Sequence, residues 1–347
     1  MISPTPSPYR PPRWLRNPHL QTLLASSPLR VQRGARELQA LGAVHQTHVV
    51  EAGGDIRLEG VHTTLPTRAP KGLALLLHGW EGSAESGYMR LTCARLLEQG
   101  FDVFRLNFRD HGATHHLNQD LFHSNRLEEV LQAALSVQRL WPQHPMVVAG
   151  YSLGGNFALR VGLHAPRVGL ALARVAAVCP ALDPDRTTTA MERGMSFYER
   201  YFLRKWTRSL RRKQELFPEQ HAIAETQLRS RRLRDLTAWL VARHTDFDDV
   251  DAYFDGYRIS GDRMAGLQVT ADILTSADDP VIPVDDFHAW QLPAHARVEI
   301  AEHGGHCAFL MDAQLHGYAE GWVAQKLSTA LQPGAVQNPA AIHGDHA

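Results

Sequence analysis

Residues 147–157 read VVAGYSLGGNF. A serine between two glycines, directly after an apolar run and before a helical one, has the makings of a nucleophile held on a sharp strand-to-helix turn. Gly150 and Gly154 suit such a turn because a Cβ at either would crowd the adjoining strand and helix. The Ser152 hydroxyl then stands at a helix N-terminus, where backbone N–H groups favour developing negative charge. The alternative is a glycine-rich turn that packs a helix close to a sheet. A serine hydroxyl is a weak nucleophile at neutral pH, so the first reading requires a base and an acid to orient that base.

Both stand downstream in a workable order. TSADDPVIP follows an apolar run, and its Asp279 is placed to point from a strand end toward the serine; EHGGHCAFL follows the next run, with two glycines giving His306 an unhindered loop position. The expected triad is Ser152, Asp279 and His306. Asp278 and Asp183 remain alternatives for the acid, and His303 for the base. With 20 histidines in the chain, position after the last strand is what singles out His306. The oxyanion of an acyl transfer needs two backbone donors. The N–H of Leu153 offers one, and the N–H of Trp80 in HGWEGS the other, with Gly79 and Gly82 letting the backbone curl inward.

The elements that must position these residues follow from periodicity. Over residues 72–79, 101–108, 146–150 and 175–180 short apolar runs alternate with helical segments near 86–99, 125–141 and 156–164. Such alternation predicts a parallel α/β sheet buried on both faces. THVVEA and IRLEGVHTT, joined at Gly53-Gly54-Asp55, read as a preceding hairpin. The rhythm breaks over 183–262, which is helical, basic and free of strand signals, and resumes with two more strands. The expected organisation is an N-terminal extension (1–45), a core in two parts (46–182 and 263–332), a helical cap insertion (183–262) and a disordered tail (333–347). Within the extension, Trp14, Leu15, Leu20 and Leu23 could dock on a neighbouring surface or sit in a loose arm.

Composition narrows the class of partner. The 347 residues carry 36 Lys plus Arg against 36 Asp plus Glu, which gives no electrostatic case for nucleic acid. Cys93, Cys179 and Cys307 are odd in number and widely spaced, which supports neither a disulfide framework nor a zinc site. No apolar run approaches a signal or membrane span, so the cytoplasm is the expected location.

These residues resemble the α/β-hydrolase superfamily, and more finely its YheT-like branch, related to eukaryotic ABHD-type hydrolases. The likeness is carried by WLRNPHLQTLL, HGWEGS, NFRDHGATHH…LFHSNRLEEV, GYSLGGN and DDPVIP…HGGH, over about residues 10–330. It implies an α/β-hydrolase fold with a mostly parallel eight-stranded sheet, helices on both faces and an inserted cap. It also implies Ser152, Asp279 and His306 as the triad, hydrolysis of carboxylic esters with medium-chain acyl esters or lipids as substrates, and no cofactor or metal. Tyr151, Phe197, Tyr201 and Trp206 are the expected substrate contacts, Phe197, Tyr201 and Trp206 belonging to the cap, whose aromatics could instead simply pack it on the sheet. Arginines 204, 208, 211 and 212 read first as a solvated helix face and leave room for transient contact with a membrane surface. Rival readings are acyl transfer to an alcohol and a non-catalytic binding protein on the same fold. An H-x4-D pattern, discussed for acyltransferases, occurs twice, at His115/Asp120 and His244/Asp249, and so discriminates little.

Overall fold

A computed structural model describes residues 4–331; the tail expected over 333–347 lies outside the described residues. The chain begins with a two-residue strand β1 (Thr5–Pro6) and helices α1 (Pro18–Ala25) and α2 (Pro28–Ala40). The hairpin β2 (Val44–Glu51) and β3 (Arg57–Thr64) follows, then β4 (Gly72–Leu77), α3 (Gly87–Gln99), β5 (Phe101–Leu106), α4 (Leu127–Leu140), β6 (Met146–Tyr151), α5 (Leu153–Val168) and β7 (Leu172–Val178). Five helices come next without a strand: α6 (Pro184–Arg193), α7 (Ser196–Leu216), α8 (Glu225–Leu228), α9 (Leu233–His244) and α10 (Val250–Asp255). The chain closes with β8 (Ala271–Ser276), α11 (Asp285–His288), β9 (Ala296–Ala301) and α12 (Tyr318–Ser328).

The strands form one sheet in the order β1-β9-β8-β7-β6-β4-β5-β3-β2. Among the described strands only the β2/β3 and β3/β5 pairs are antiparallel. Every residue of β4, β5, β6 and β8 is buried, as expected of strands covered on both faces, and the acidic members are paired there, Asp102 with His62 at 3.1 Å and Asp272 with Arg174 at 2.7 Å. One apolar cluster joins the sheet to α3 and α12, a second joins its opposite face to α4, α5 and the helices between β7 and β8, and a small third one packs Leu15 and Ala25 on Ala308, Leu310 and Leu315. Gly100, at φ 101°, ends α3 in the left-handed conformation that glycine adopts without strain, and its N–H caps the last turn.

Two expectations are corrected. Among the described residues the sheet has nine strands instead of eight: Thr5–Pro6 adds in parallel to β9, and the Ser7 amide continues the pairing to the Ile300 carbonyl at 2.9 Å. Proline is tolerated there because this is an edge strand, where one missing N–H breaks no interior ladder. The extension also docks through other residues than its apolar pattern suggests. Leu15 is buried, while Trp14, Leu20 and Leu23 are exposed; α1 buries Gln21 and Ala25 instead. Polar anchors explain this, since the Gln21 side-chain carbonyl accepts the Leu310 amide at 2.8 Å and the Tyr9 hydroxyl donates to the Leu310 carbonyl at 2.5 Å.

Candidate active site

Ser152 joins β6 to α5 with φ 54° and ψ −121°, a conformation that costs a non-glycine residue strain. Its own amide donates to the Val178 carbonyl at 2.9 Å, and its carbonyl accepts the Asn156 amide at 3.0 Å, so the strained residue is held at both ends. The flanking glycines are sterically fixed. A Cβ on Gly150 would lie 2.0 Å from the Gly154 carbonyl oxygen, and one on Gly154 would lie 2.2 Å from the Leu77 oxygen. Both obstacles are backbone, which cannot swing aside.

His306 arrives from the loop after β9. Gly305 (φ 56°) turns the chain, and the His306 amide donates to the Thr22 hydroxyl of α1 at 2.9 Å. The ring bridges two partners: Nε2 lies 3.0 Å from Ser152 Oγ, and Nδ1 lies 2.9 Å from Asp279 Oδ2. The Asp279 side chain is fully enclosed, and its Oδ1 accepts the Val281 and Ile282 amides at 2.8 and 3.0 Å. Those two amides make the carboxylate a fixed acceptor, so in the neutral ring Nδ1 carries the proton and Nε2 presents its lone pair to the serine. Burial disfavours the charged imidazole, yet the Asp279 carboxylate and the neighbouring Cys307 outweigh it and hold His306 well above its ordinary range.

The alternatives fall elsewhere. Asp278 turns to the Gly305 amide at 2.9 Å and sits 3.4 Å from His303 Nδ1. Asp183 caps α6 by accepting the Arg186 amide at 3.1 Å. His115 reaches Ser209 at 2.8 Å, and Asp249 caps α10, so neither H-x4-D pair meets the serine. In NFRDHGAT, Arg109 pairs with Glu129 at 2.6 Å and Asp110 with the buried Lys213 at 2.6 Å.

The loop after β4 closes the other side. Gly79 donates its amide to the Tyr88 hydroxyl at 2.9 Å, and Glu81 donates its own to His111 Nε2 at 3.1 Å. His78 is wholly buried, with Nδ1 2.8 Å from the Gly79 carbonyl and Nε2 accepting the Phe108 amide at 3.2 Å; burial brings its pKa down to about 4, which keeps the ring neutral. Among the described residues the Trp80 and Leu153 amides, which lie between these held positions and at the first turn of α5, take no hydrogen-bond partner.

Two cavities meet at Ser152. One, of about 90 Å³, is lined mainly by apolar side chains, among them Leu153, Met191, Trp206, Leu240 and Phe254. The other, of about 270 Å³, is bounded by α1 and α7 and includes Thr22, Phe197, Tyr198, Tyr201 and His306. Trp80, Phe202 and Val281 border both, and the Trp80 and Phe202 rings stack at 5.1 Å. All four expected contact residues thus border a cavity, although the Tyr151 hydroxyl turns away to Thr92 at 2.6 Å. Thr22, Tyr88 and Cys307 are site neighbours that sequence reasoning missed; no local pattern marks a residue whose partner is distant in the chain.

Residues 74–320 match the Alpha/beta hydrolase family. The chain belongs to that family. Its sequence is 27% identical over 268 residues to the Escherichia coli (strain K12) protein named "Putative esterase YheT", covering 74% of this chain and 77% of that one, and it is a YheT-like member. In fold, this α/β hydrolase is similar to the Pyrococcus furiosus esterase Pf2001 (TM-score 0.53, 14% identity, 85% and 92% of the two chains) and to the Pyrobaculum calidifontis esterase (TM-score 0.56, 16% identity, 92% and 99%). Among its described residues no helix is long and apolar enough to cross a membrane.

Proposed function

We propose that this α/β hydrolase cleaves carboxylic esters through an acyl-enzyme on Ser152. The observation that carries the reading is the continuous relay from Ser152 Oγ through His306 to Asp279, with contacts of 3.0 and 2.9 Å, at the junction of two cavities. Esterase names among its relatives support the same class.

Each step follows from the proton inventory. Nε2 takes the Ser152 proton as Oγ attacks the ester carbonyl, and the imidazolium so formed faces the Asp279 carboxylate. Negative charge moves to the former carbonyl oxygen, where the Leu153 and Trp80 amides donate; one such donor is worth roughly 10²–10³ in kcat. Nε2 then protonates the departing alcohol. A water, deprotonated by the same nitrogen, attacks the acyl-enzyme, and the bond to Ser152 Oγ breaks as that oxygen takes the proton back from Nε2, which releases the acid. Helices α6–α10 act as the cap in this reading. The apolar cavity takes the acyl chain, with Trp206 as part of its wall, and the cavity bordered by Phe197 and Tyr201 takes the alcohol.

The test is hydrolysis of p-nitrophenyl esters graded from acetate to dodecanoate by wild type, Ser152→Ala and Leu240→Trp. Wild type should turn over with a maximum at intermediate length, Ser152→Ala should not, and the larger side chain at 240 should shift the maximum to shorter acyl groups. Equal rates for wild type and Ser152→Ala would sink the mechanism. An unshifted maximum in Leu240→Trp would instead reassign the acyl group to the other cavity.

A further inference from the structure

Cys179 and Cys307 match no zinc motif by spacing, yet the fold brings them to the same point. Cys179 follows β7 and is buried; Cys307 directly follows His306 and is partly buried. The Cys307 amide points at Cys179 Sγ at 3.4 Å, and Cys307 Sγ lies 3.9 Å from His306 Nε2. Among the described residues these three form the one group whose ligand atoms, two thiol sulfurs and a ring nitrogen, lie within 4.8 Å of one another.

That spacing suits a tetrahedral thiophilic ion. Zinc sits ~2.3 Å from sulfur and ~2.0 Å from an imidazole nitrogen, which sets its ligand atoms roughly 3.5–3.8 Å apart. The observed sulfur-to-nitrogen distance needs only a small inward shift. The second shell is also in place, because Asp279 holds the His306 Nδ1 proton at 2.9 Å and so aims the Nε2 lone pair outward, as carboxylate–histidine–zinc arrangements require. His306 borders the larger cavity, which gives an ion a path, and Ser152 Oγ lies 3.0 Å from the same Nε2. Magnesium and calcium prefer oxygen ligands and do not fit two thiolates and an imidazole.

We propose that Cys179, Cys307 and His306 form a binding site for a thiophilic divalent cation such as Zn²⁺, and that the bound ion inhibits the enzyme by taking His306 Nε2 from Ser152. Binding exchanges protons for metal: each thiol that ligates releases one, no electron moves, and a chelator reverses the process. The inhibitory half rests on the esterase reading above, whereas the binding half does not.

The experiment uses the full chain kept reduced with a phosphine, titrated with Co²⁺ as a spectroscopic probe and then with Zn²⁺. Wild type and Ser152→Ala should both develop a near-ultraviolet thiolate-to-cobalt charge-transfer band at one equivalent, which Zn²⁺ abolishes. Cys307→Ala should bind at least ~10–100-fold more weakly, the loss that removing even an outer-shell partner produces. Cys307→Ser, a near-isosteric change, checks that the effect follows the sulfur. In ester hydrolysis Zn²⁺ should inhibit wild type, EDTA should restore it, and Cys307→Ala should resist, each variant being compared with its own metal-free rate. Absence of the band in wild type, or a band and inhibition undiminished in both Cys307 variants, overturns the proposal. A band in a chain that hydrolyses no ester supports the site and counts against the esterase reading.

Discussion

Asp279→Asn changes one group inside a fixed frame, and its consequence can be worked through atom by atom. Oδ1 is tied to the Val281 and Ile282 amides at 2.8 and 3.0 Å, so an asparagine must keep its carbonyl oxygen there; the reverse orientation would set an NH₂ against two N–H donors at about 1–3 kcal/mol for each unmade bond. Its NH₂ then occupies the Oδ2 position, 2.9 Å from His306 Nδ1. A donor at that place makes Nδ1 the acceptor and moves the ring proton to Nε2, where it points at Ser152. The serine proton has no base, and the imidazolium of the transition state loses its counter-charge. In serine proteases this change of tautomer lowers kcat about 10⁴-fold, equivalent to about 5 kcal/mol. We expect a loss of that order here, measured as kcat on a p-nitrophenyl ester, with the free energy of unfolding in urea within ~1 kcal/mol of wild type because the shape and both backbone contacts persist. Asp278→Asn, whose acceptor for the Gly305 amide survives, should lose less than about tenfold. A folded Asp279→Asn enzyme within tenfold of wild type, or a larger loss in Asp278→Asn, would refute the assignment of the acid.

Other outcomes follow from the same geometry. Although burial opposes charge on His306, the Asp279 carboxylate and Cys307 raise its pKa well above 6.5; since only the neutral ring accepts the serine proton, activity should be lost as pH falls through that raised value. A kcat/KM profile already flat at pH 6 would contradict this. Gly154→Ala places a Cβ 2.2 Å from the Leu77 oxygen and 2.4 Å from the His78 oxygen, so the sheet or α5 must shift; we expect about 3 kcal/mol lost in urea unfolding, and an unchanged midpoint would mean the turn is looser than described. Tyr88→Phe removes the only partner of the Gly79 amide among the described residues, which should lower kcat more than it raises KM by loosening the loop that carries the Trp80 donor. Equal kcat in wild type and variant would show that the loop holds without it.

What could be read from the sequence was whatever short-range pattern encodes. The apolar hexamers of β4 and β6, the glycines at 150 and 154, and the polar loops after β8 and β9 each have a local physical cause, so the order serine, acid, base and the region of five helices before β8 were legible. The N-terminal contribution was not. Prolines at 4, 6 and 8 argue against a strand, and β1 exists because the edge of β9 lies open beside it. Thr22 holds the His306 amide across 284 residues of sequence, and Cys307 meets Cys179 across 128; such contacts are products of the closed fold and leave no periodicity behind. Apolar pattern misled at α1, where Gln21 is buried and Leu23 exposed, because hydrogen bonds to the segment after His306 decide that helix's orientation.

The central claim is that Ser152 is the nucleophile, and covalent capture tests it most directly. The purified chain would be treated with diethyl p-nitrophenyl phosphate, which transfers a diethylphosphoryl group to an activated serine, and examined by intact mass and peptide mapping alongside residual ester hydrolysis. The account predicts one adduct, mapped to Ser152 in the peptide containing GYSLGGN, forming in step with loss of turnover and absent from Ser152→Ala. Full turnover without an adduct on Ser152, or the same adduct in Ser152→Ala, would contradict it.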